Sequence, residues 1–358
     1  MSRATALANI ALAPSAGWAH AEYSLEYHRG YVRRLTGRDV GTPAGARALY
    51  DAWGLDFLWC TNDGIHDDWA RRGRATDMGH AEYEADGTDR REATVSPFTS
   101  VREAWAFDPV AEYGLPAFAD QVKAYDEVDR EARDLYPGQL RTGGYYKTIV
   151  SGAIQAFGWD MFLEAAADRR GIEEVFDRFY RRTLFHMEAW AASTAEVIIQ
   201  HDDFVWTAGA FMHPSLYREV IIPRYAALWK PLHDAGKKVL FCSDGNFMEF
   251  AEDIVNAGAD GLIFEPCNDF AFMAERFGAS HCLVGSCVDC RDLTFGPWEK
   301  AARDIERTFA LLSKCRGAVV AVGNHLPANI TDEMLDRYIG AVRPRLARAA
   351  DAEPLIVA

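Results

Sequence analysis

Lys238-Val239-Leu240-Phe241-Cys242-Ser243-Asp244-Gly245-Asn246 is an apolar run that stops abruptly at a thiol, a hydroxyl, a carboxylate and a glycine. The run follows a helical pattern ending at Ala235-Gly236, so it reads as a short buried strand, and Gly245 releases the chain toward another helix. Cys242 and Asp244 are two apart, so in a strand they point the same way. A thiolate and a carboxylate converging at the carboxyl end of a buried strand make half of a metal site, or an acid/base pair. The competing reading is packing, with the Cys as a small hydrophobe and the Asp as cap of the next helix.

Outward from this run the same rhythm repeats. Short apolar runs occur at 18–23, 57–60, 145–150, 196–200, 239–241, 261–264, 282–284 and 318–322. Amphipathic helical patterns follow or separate them at 157–167, 171–194, 214–235, 246–257, 269–278, 297–314 and 331–349. Strand then helix, eight times, is the sequence image of an α/β fold of the TIM (β/α)8 barrel type. Residues 22–53 read as a largely helical N-terminal extension, and 67–100, rich in Asp, Arg, Gly and Thr, as an insertion folded over one face. A doubly wound open sheet would usually carry a glycine-rich phosphate turn after its first strand, and no GxxxxGK[ST] or equivalent is present. The expectation is one barrel domain over 1–358.

Composition narrows the function. A net charge of −15 argues against a phosphate-binding surface, and no Lys/Arg cluster alternates with aromatics, so nucleic acid is not expected as a partner. No run of 18 apolar residues exists, so no membrane span is expected. The start, with a mild apolar stretch at 6–14, is too weak for a signal peptide; a cytoplasmic protein with a frayed or docking N-terminus is expected. The seven cysteines are odd in number and mostly sit in apolar runs, which suits reduced thiols.

In a barrel of this type the reacting groups sit on the carboxyl ends of the strands. Reading those ends gives Asp63; Tyr145 and Tyr146; His201, Asp202 and Asp203; Cys242 and Asp244; Glu265 and Cys267; Cys287, Asp289 and Cys290; and Asn324 with His325. The set says more than any member. His201 beside two aspartates reads as a proton relay or as a surface turn. Cys287-x-x-Cys290 is a lone CxxC, without a second pair or the context of a redox motif. His325 follows a glycine-led turn that exposes it at the mouth, or else it bonds a loop carbonyl.

The order Pro214-Ser215-Leu216-Tyr217-Arg218-Glu219, Ile222-Pro223-Arg224, His233-Asp234-Ala235-Gly236, then 239–246, Gly258-Ala259-Asp260-Gly261, 285–289 and 323–329 resembles the uroporphyrinogen decarboxylase superfamily, most clearly from residue 200 onward. That resemblance implies a TIM barrel. It also implies a choice between two chemistries, since the superfamily holds true decarboxylases and zinc-dependent methyltransferases that work with a corrinoid protein.

The decarboxylases carry an arginine-rich RQAGR segment for a polycarboxylate porphyrinogen. Residues 26–38 (EYHRGYVRRLTGR) lack it, and acidic strand ends would repel such a substrate. Asp63 still matches their aspartate at the second strand. The methyltransferases use a His-x-Cys and a later Cys as zinc ligands. Here Cys242-x-Asp244 and His325 fall at those places, which implies a zinc site of Cys242, Asp244 and His325, with Glu265 as fourth ligand or acid/base group. Zinc would polarise a methoxy oxygen or lower a thiol's pKa, and the methyl would pass between substrate and cobalt. No DxHxxG signature is present, so a cobamide would come on a separate corrinoid protein.

Asp63, Tyr146, His201 and Asp203 would orient substrate or move protons. Trp59, Trp69 and Trp206 at the rim suggest a flat or aromatic substrate. Two other classes compete: a metal-free decarboxylase of a smaller acid, using Asp63 and Asp203, and a non-catalytic ligand-binding barrel.

Overall fold

The computed structural model describes residues 2–61, 76 and 95–347, and the backbone of 82–83 and 89–90. Asp63, Trp69 and most of the expected insertion at 67–100 lie outside the described residues. In chain order the strands are β1 (Ala19–His20), β2 (Phe57–Leu58), β3 (Glu82–Tyr83), β4 (Asp89–Arg90), β5 (Leu140–Arg141), β6 (Gly143–Tyr146), β7 (Val197–His201), β8 (Lys238–Cys242), β9 (Gly261–Ile263), β10 (Cys282–Val284) and β11 (Ala318–Val320). The chain divides into two compact units. A terminal unit comprises Met1–Trp59, Arg130–Thr142 and Asp260–Ala358; a central unit comprises Cys60–Asp129 and Gly143–Ala259.

In the central unit β6, β7 and β8 pair in parallel, in that order. Ile198, Ile199, Val239 and Leu240 are fully buried, whichever way they point, because helices cover the sheet as parallel sheets require. The longest helix, Arg169–Ala192, starts where the Asp168 side chain accepts the Gly171 N–H at 2.7 Å. It buries Ile172, Val175, Phe176, Phe179, Thr183 and Trp190, a stripe at helical spacing. Beyond its end the buried Lys237 donates to the Ser193 carbonyl at 2.6 Å and to that of Ala195, meeting carbonyls that no N–H of the helix reaches. Trp190 in turn explains why β6 opens with glycine: a Cβ on Gly143 would stand 2.6 Å from the Trp190 ring.

Two expectations change here. The third run was expected as a strand over 145–150, but β6 ends at Tyr146, Lys147 turns at φ +63°, and a helix begins at Val150. The helix expected over 214–235 is three pieces, Pro214–Leu216, a π turn at Tyr217–Ile221, and Ile222–Asp234 with Pro at its start. The wide turn fits the Tyr217 hydroxyl, which accepts the Phe211 and Met212 N–H groups at 3.2 and 3.3 Å.

In the terminal unit β9, β10, β11 and β1 pair in parallel, in that order, and β2 pairs with β5. The N-terminus is helical from Arg3 to Ile10, capped by Ser2, and docked: the fully buried Asn9 accepts the Ala318 N–H at 3.1 Å and donates to the Gly17 carbonyl at 2.9 Å. Glu22 locks the neighbouring edge. Its carboxylate accepts the Val322 N–H at 3.1 Å and the Tyr338 hydroxyl at 2.6 Å, and lies 3.0 Å from His20 Nε2. The expected extension over 22–53 divides into Arg29–Thr36 and Pro43–Trp53, because Gly37 takes φ +67° and Thr42-Pro43 restarts the helix. No helix among the described residues is long and apolar enough to cross a membrane.

Candidate active site at the ends of β6, β7 and β8

Strand register builds the site. Tyr146 pairs with His201, and His201 with Cys242, so the last residues of three adjacent parallel strands form one row. Side chains two residues further on return to the same face, which brings Asp203 and Asp244 beside the row. His201 Nε2 lies 2.9 Å from Asp203 Oδ1. The Tyr146 hydroxyl donates to Asp203 Oδ2 at 2.7 Å, and the Asp244 backbone N–H donates to Oδ1 at 2.9 Å. The Tyr146 and His201 rings stack, with centroids 4.0 Å apart. One ligand atom each from His201, Asp203 and Asp244 lies within 4.8 Å of the other two.

The electrostatics follow from that geometry. Burial works against a charged His201, yet Cys242 and Asp203 overrule it and hold the imidazole's pKa well above its ordinary value. Burial would raise Asp203, but the His201 charge and hydrogen bond, the Asp244 N–H and the Tyr146 hydroxyl hold it well below the usual carboxylate range. Tyr146 is raised by burial and then by the Asp203 carboxylate, so its phenol stays protonated. Burial pushes the Cys242 thiol up to about 12, against the pull of His201. Near neutral pH Asp203 is therefore a carboxylate and Tyr146 a phenol, with His201 drawn toward its protonated form between Cys242 and Asp203.

Asp202, expected either in a relay or on a surface turn, does neither. It is fully buried on the opposite side of the strand end, where it accepts the backbone N–H groups of Ile149, Val150 and Ser151, the Ser151 hydroxyl and the Tyr225 hydroxyl, all within 2.7–3.1 Å. A carboxylate from β7 thus caps the helix that follows β6. On the other flank Gly245 leaves β8 at φ +83°, and a Cβ there would meet the Val205 carbonyl oxygen at 2.7 Å and that of Trp206 at 2.8 Å. Gly245→Ala is expected to lower stability by about 1–3 kcal/mol, from forced φ and backbone overlap, as read by urea denaturation. It should also weaken any function of Asp244, one residue away.

Glu265 and His325 belong to the terminal unit, where Asn324 Nδ2 donates to Glu265 Oε1 at 2.9 Å and His325 Nδ1 lies 2.5 Å from Asn324 Oδ1. Within the central unit, the atoms gathered at ligand distance with Asp244 are those of His201 and Asp203, which the sequence pointed to as proton-moving groups. The signal was present: β7 and β8 both end in a ligating residue followed two places on by Asp, His-x-Asp and Cys-x-Asp. Cys287 is half-buried, while Cys290 is buried at the start of a helix, Cys290–Phe295, capped by Asp289. Burial raises both thiols, Cys290 to about 12. Of the rim aromatics, Trp59 lies 5.7 Å from Tyr23 in the terminal unit. Trp206, 45% exposed, joins Trp159 and Phe211 in the central one.

Strands alternating with helices, all parallel within each main sheet, define an α/β chain of the TIM (β/α)8 barrel fold. A methyltransferase from Methanosarcina mazei superposes on it with a TM-score of 0.63 at 16% identity, over 96% of this chain and 99% of that one. At that identity the likeness is one of fold. A GH27 β-L-arabinopyranosidase from Geobacillus stearothermophilus (TM-score 0.40, 11% identity, 92% of this chain and 78% of that one) and a D-psicose 3-epimerase (0.35, 10%, 93% and 95%) are too distant to carry an argument. No curated protein matches the sequence. The uroporphyrinogen decarboxylase (URO-D) profile matches residues 161–344, more than half of the chain, and the protein belongs to that family.

Proposed function

We propose that this URO-D-family chain is a zinc-dependent methyltransferase or O-demethylase for a small substrate, working in the cytoplasm with a separate corrinoid protein that receives the methyl group. The observation that carries this reading is the convergence of His201, Asp203 and Asp244 within 4.8 Å. One imidazole and two carboxylates are a donor set that zinc accepts, with room for a substrate oxygen or sulfur as fourth ligand. His201, Asp203 and Asp244 would hold the ion, and Cys242, in register with His201, is the adjacent soft donor. When bound, the metal supplies Lewis acidity toward the atom that carries the methyl group.

The chain's own residues do the rest. Tyr146 keeps its proton and donates a hydrogen bond to Asp203, which fixes the carboxylate's orientation. Stacking of Tyr146 on His201 fixes the plane of the imidazole. Asp202 holds the end of β7 in place from behind.

Elemental analysis of protein purified without chelator tests the proposal. About one zinc per chain is expected, lost on His201→Ala or Asp244→Ala; absence of stoichiometric metal would remove the reading. A second reading is favoured by one observation, the closed 2.9 Å contact of His201 with Asp203 in which the imidazole stays protonated. An imidazolium so placed can protonate the carbanion left by loss of CO2 from a small carboxylated substrate, without metal. Turnover of such an acid that survives exhaustive chelation would favour it over methyl transfer.

A further inference from the structure

The terminal unit carries a pocket of about 260 Å³ where three helices meet, Arg29–Thr36, Pro43–Trp53 and Asp332–Val342. Every residue that lines it belongs to that unit, and none is a strand-end candidate. Its volume falls just under the roughly 300–1,000 Å³ of sites for drug-sized ligands, so it suits a smaller molecule. Tyr31, Leu35, Trp53 and Ile339 give it apolar walls, and the Tyr31 and Trp53 rings are buried edge to face with centroids 6.0 Å apart. The indole N–H is already spent, since Trp53 Nε1 donates to the Tyr31 hydroxyl at 3.2 Å. What these walls offer an occupant is surface for another ring.

Two features indicate that the space is kept open and what enters it. Gly340 lines the pocket from inside the helix Asp332–Val342. Its φ is not positive, and a Cβ there would meet nothing within 4 Å, so neither the backbone nor the packing calls for glycine. Glycine weakens a helix relative to alanine, so what the missing side chain provides is room. Arg343 supplies the charge. Its Nη1 donates to the Ala52 carbonyl at 3.0 Å, which holds the guanidinium at the pocket, while its other N–H groups make no hydrogen bond among the described residues. Asp336, the acid on the wall, is answered by Arg34, whose Nη2 donates to it at 2.9 Å. A planar guanidinium with donors to spare, beside apolar walls, matches a carboxylate carried on a ring.

We propose that this pocket is an accessory binding site for a small aromatic carboxylate, with the ring against Tyr31, Leu35 and Ile339 and the carboxylate on Arg343. The occupant ties the two N-terminal helices to the helix Asp332–Val342, so binding stabilises the folded chain by mass action.

Calorimetric titration of the full chain with phenylacetate, and with phenylacetamide as its uncharged counterpart, tests this. Phenylacetate is expected to bind at one site and to raise the thermal midpoint. Phenylacetamide should bind about tenfold more weakly, the worth of one charge-assisted hydrogen bond. Arg343→Gln should erase that preference and leave the affinity for the amide as it was. Gly340→Leu, which puts a better helix former on the pocket wall, should abolish binding of both compounds without lowering the midpoint of the free protein. The proposal is overturned if neither compound binds in the millimolar range, or if both bind the wild type equally. Unchanged binding in both variants would place the compound elsewhere on the chain and overturn it too. So would a wild-type mass in solution that falls on Gly340→Leu, which would assign the pocket to a second copy of the chain.

Discussion

Asp202→Ala is expected to cost the protein about 3–5 kcal/mol of stability, because it strands several buried donors at once. The carboxylate it removes accepts three successive backbone N–H groups at the start of the helix Val150–Phe157, as well as the hydroxyls of Ser151 and Tyr225. The side chain is fully buried, so its removal leaves those donors facing the protein interior without their acceptor. A surface aspartate replaced by alanine would change stability by roughly 0.5 kcal/mol or less, so the two outcomes are well separated. Urea denaturation measures the difference directly, with Asp202→Asn expected between wild type and alanine since its amide oxygen still accepts. A loss below about 1 kcal/mol for the alanine variant would show that the helix start is satisfied by other means.

That residue also shows where reading the sequence reached its limit. His201-Asp202-Asp203 was legible as a polar strand end, but successive strand residues point to opposite faces, and the sequence alone does not say which face belongs to which neighbour. Register decides it: with His201 opposite Tyr146 and Cys242, Asp203 joins the row and Asp202 turns to the helix behind. The eight apolar runs were legible because parallel strands covered on both faces read as unbroken apolar stretches. β5 was not anticipated, and β6 was misplaced. Its two glycines, required under the Trp190 ring and beside β7, carry no apolar signal, whereas Ile149 and Val150, which open a helix, do.

The candidate site was legible as a list of strand-end residues and not as a grouping. Cys242-x-Asp244 was seen on β8, but the equivalent His201-x-Asp203 on β7 becomes its partner only once the strands are known to be neighbours. Asn324, taken as an adjunct of His325, turns out to bridge it to Glu265 through a backbone conformation that periodicity does not reveal.

Asp203→Asn is the substitution expected to change chemistry most, with a fall in turnover of about 10²–10⁴-fold, the range a positioned acid/base group contributes. The argument rests on what the carboxylate does to His201. Burial alone disfavours the imidazolium, so without the neighbouring charge the ring loses its proton at lower pH. In the metal-free wild type His201 is raised above 6.5. Its share of stability is therefore complete below that value and is lost as pH rises through the raised one. Asp203 is lowered from 3.8, so its share is complete above that value and is lost as pH falls through the lowered one. Both statements describe one ion pair, counted once, which is fully formed between the two unperturbed values and weakens beyond the two shifted ones. Urea midpoints of the chelated protein should accordingly decline on the alkaline side as His201 deprotonates. In Asp203→Asn that decline should move to lower pH, together with the alkaline limb of any rate profile. An alkaline limb at the same pH in both proteins would mean that His201 does not owe its proton to Asp203. The pair would then be a structural contact and not the source of the acid/base function.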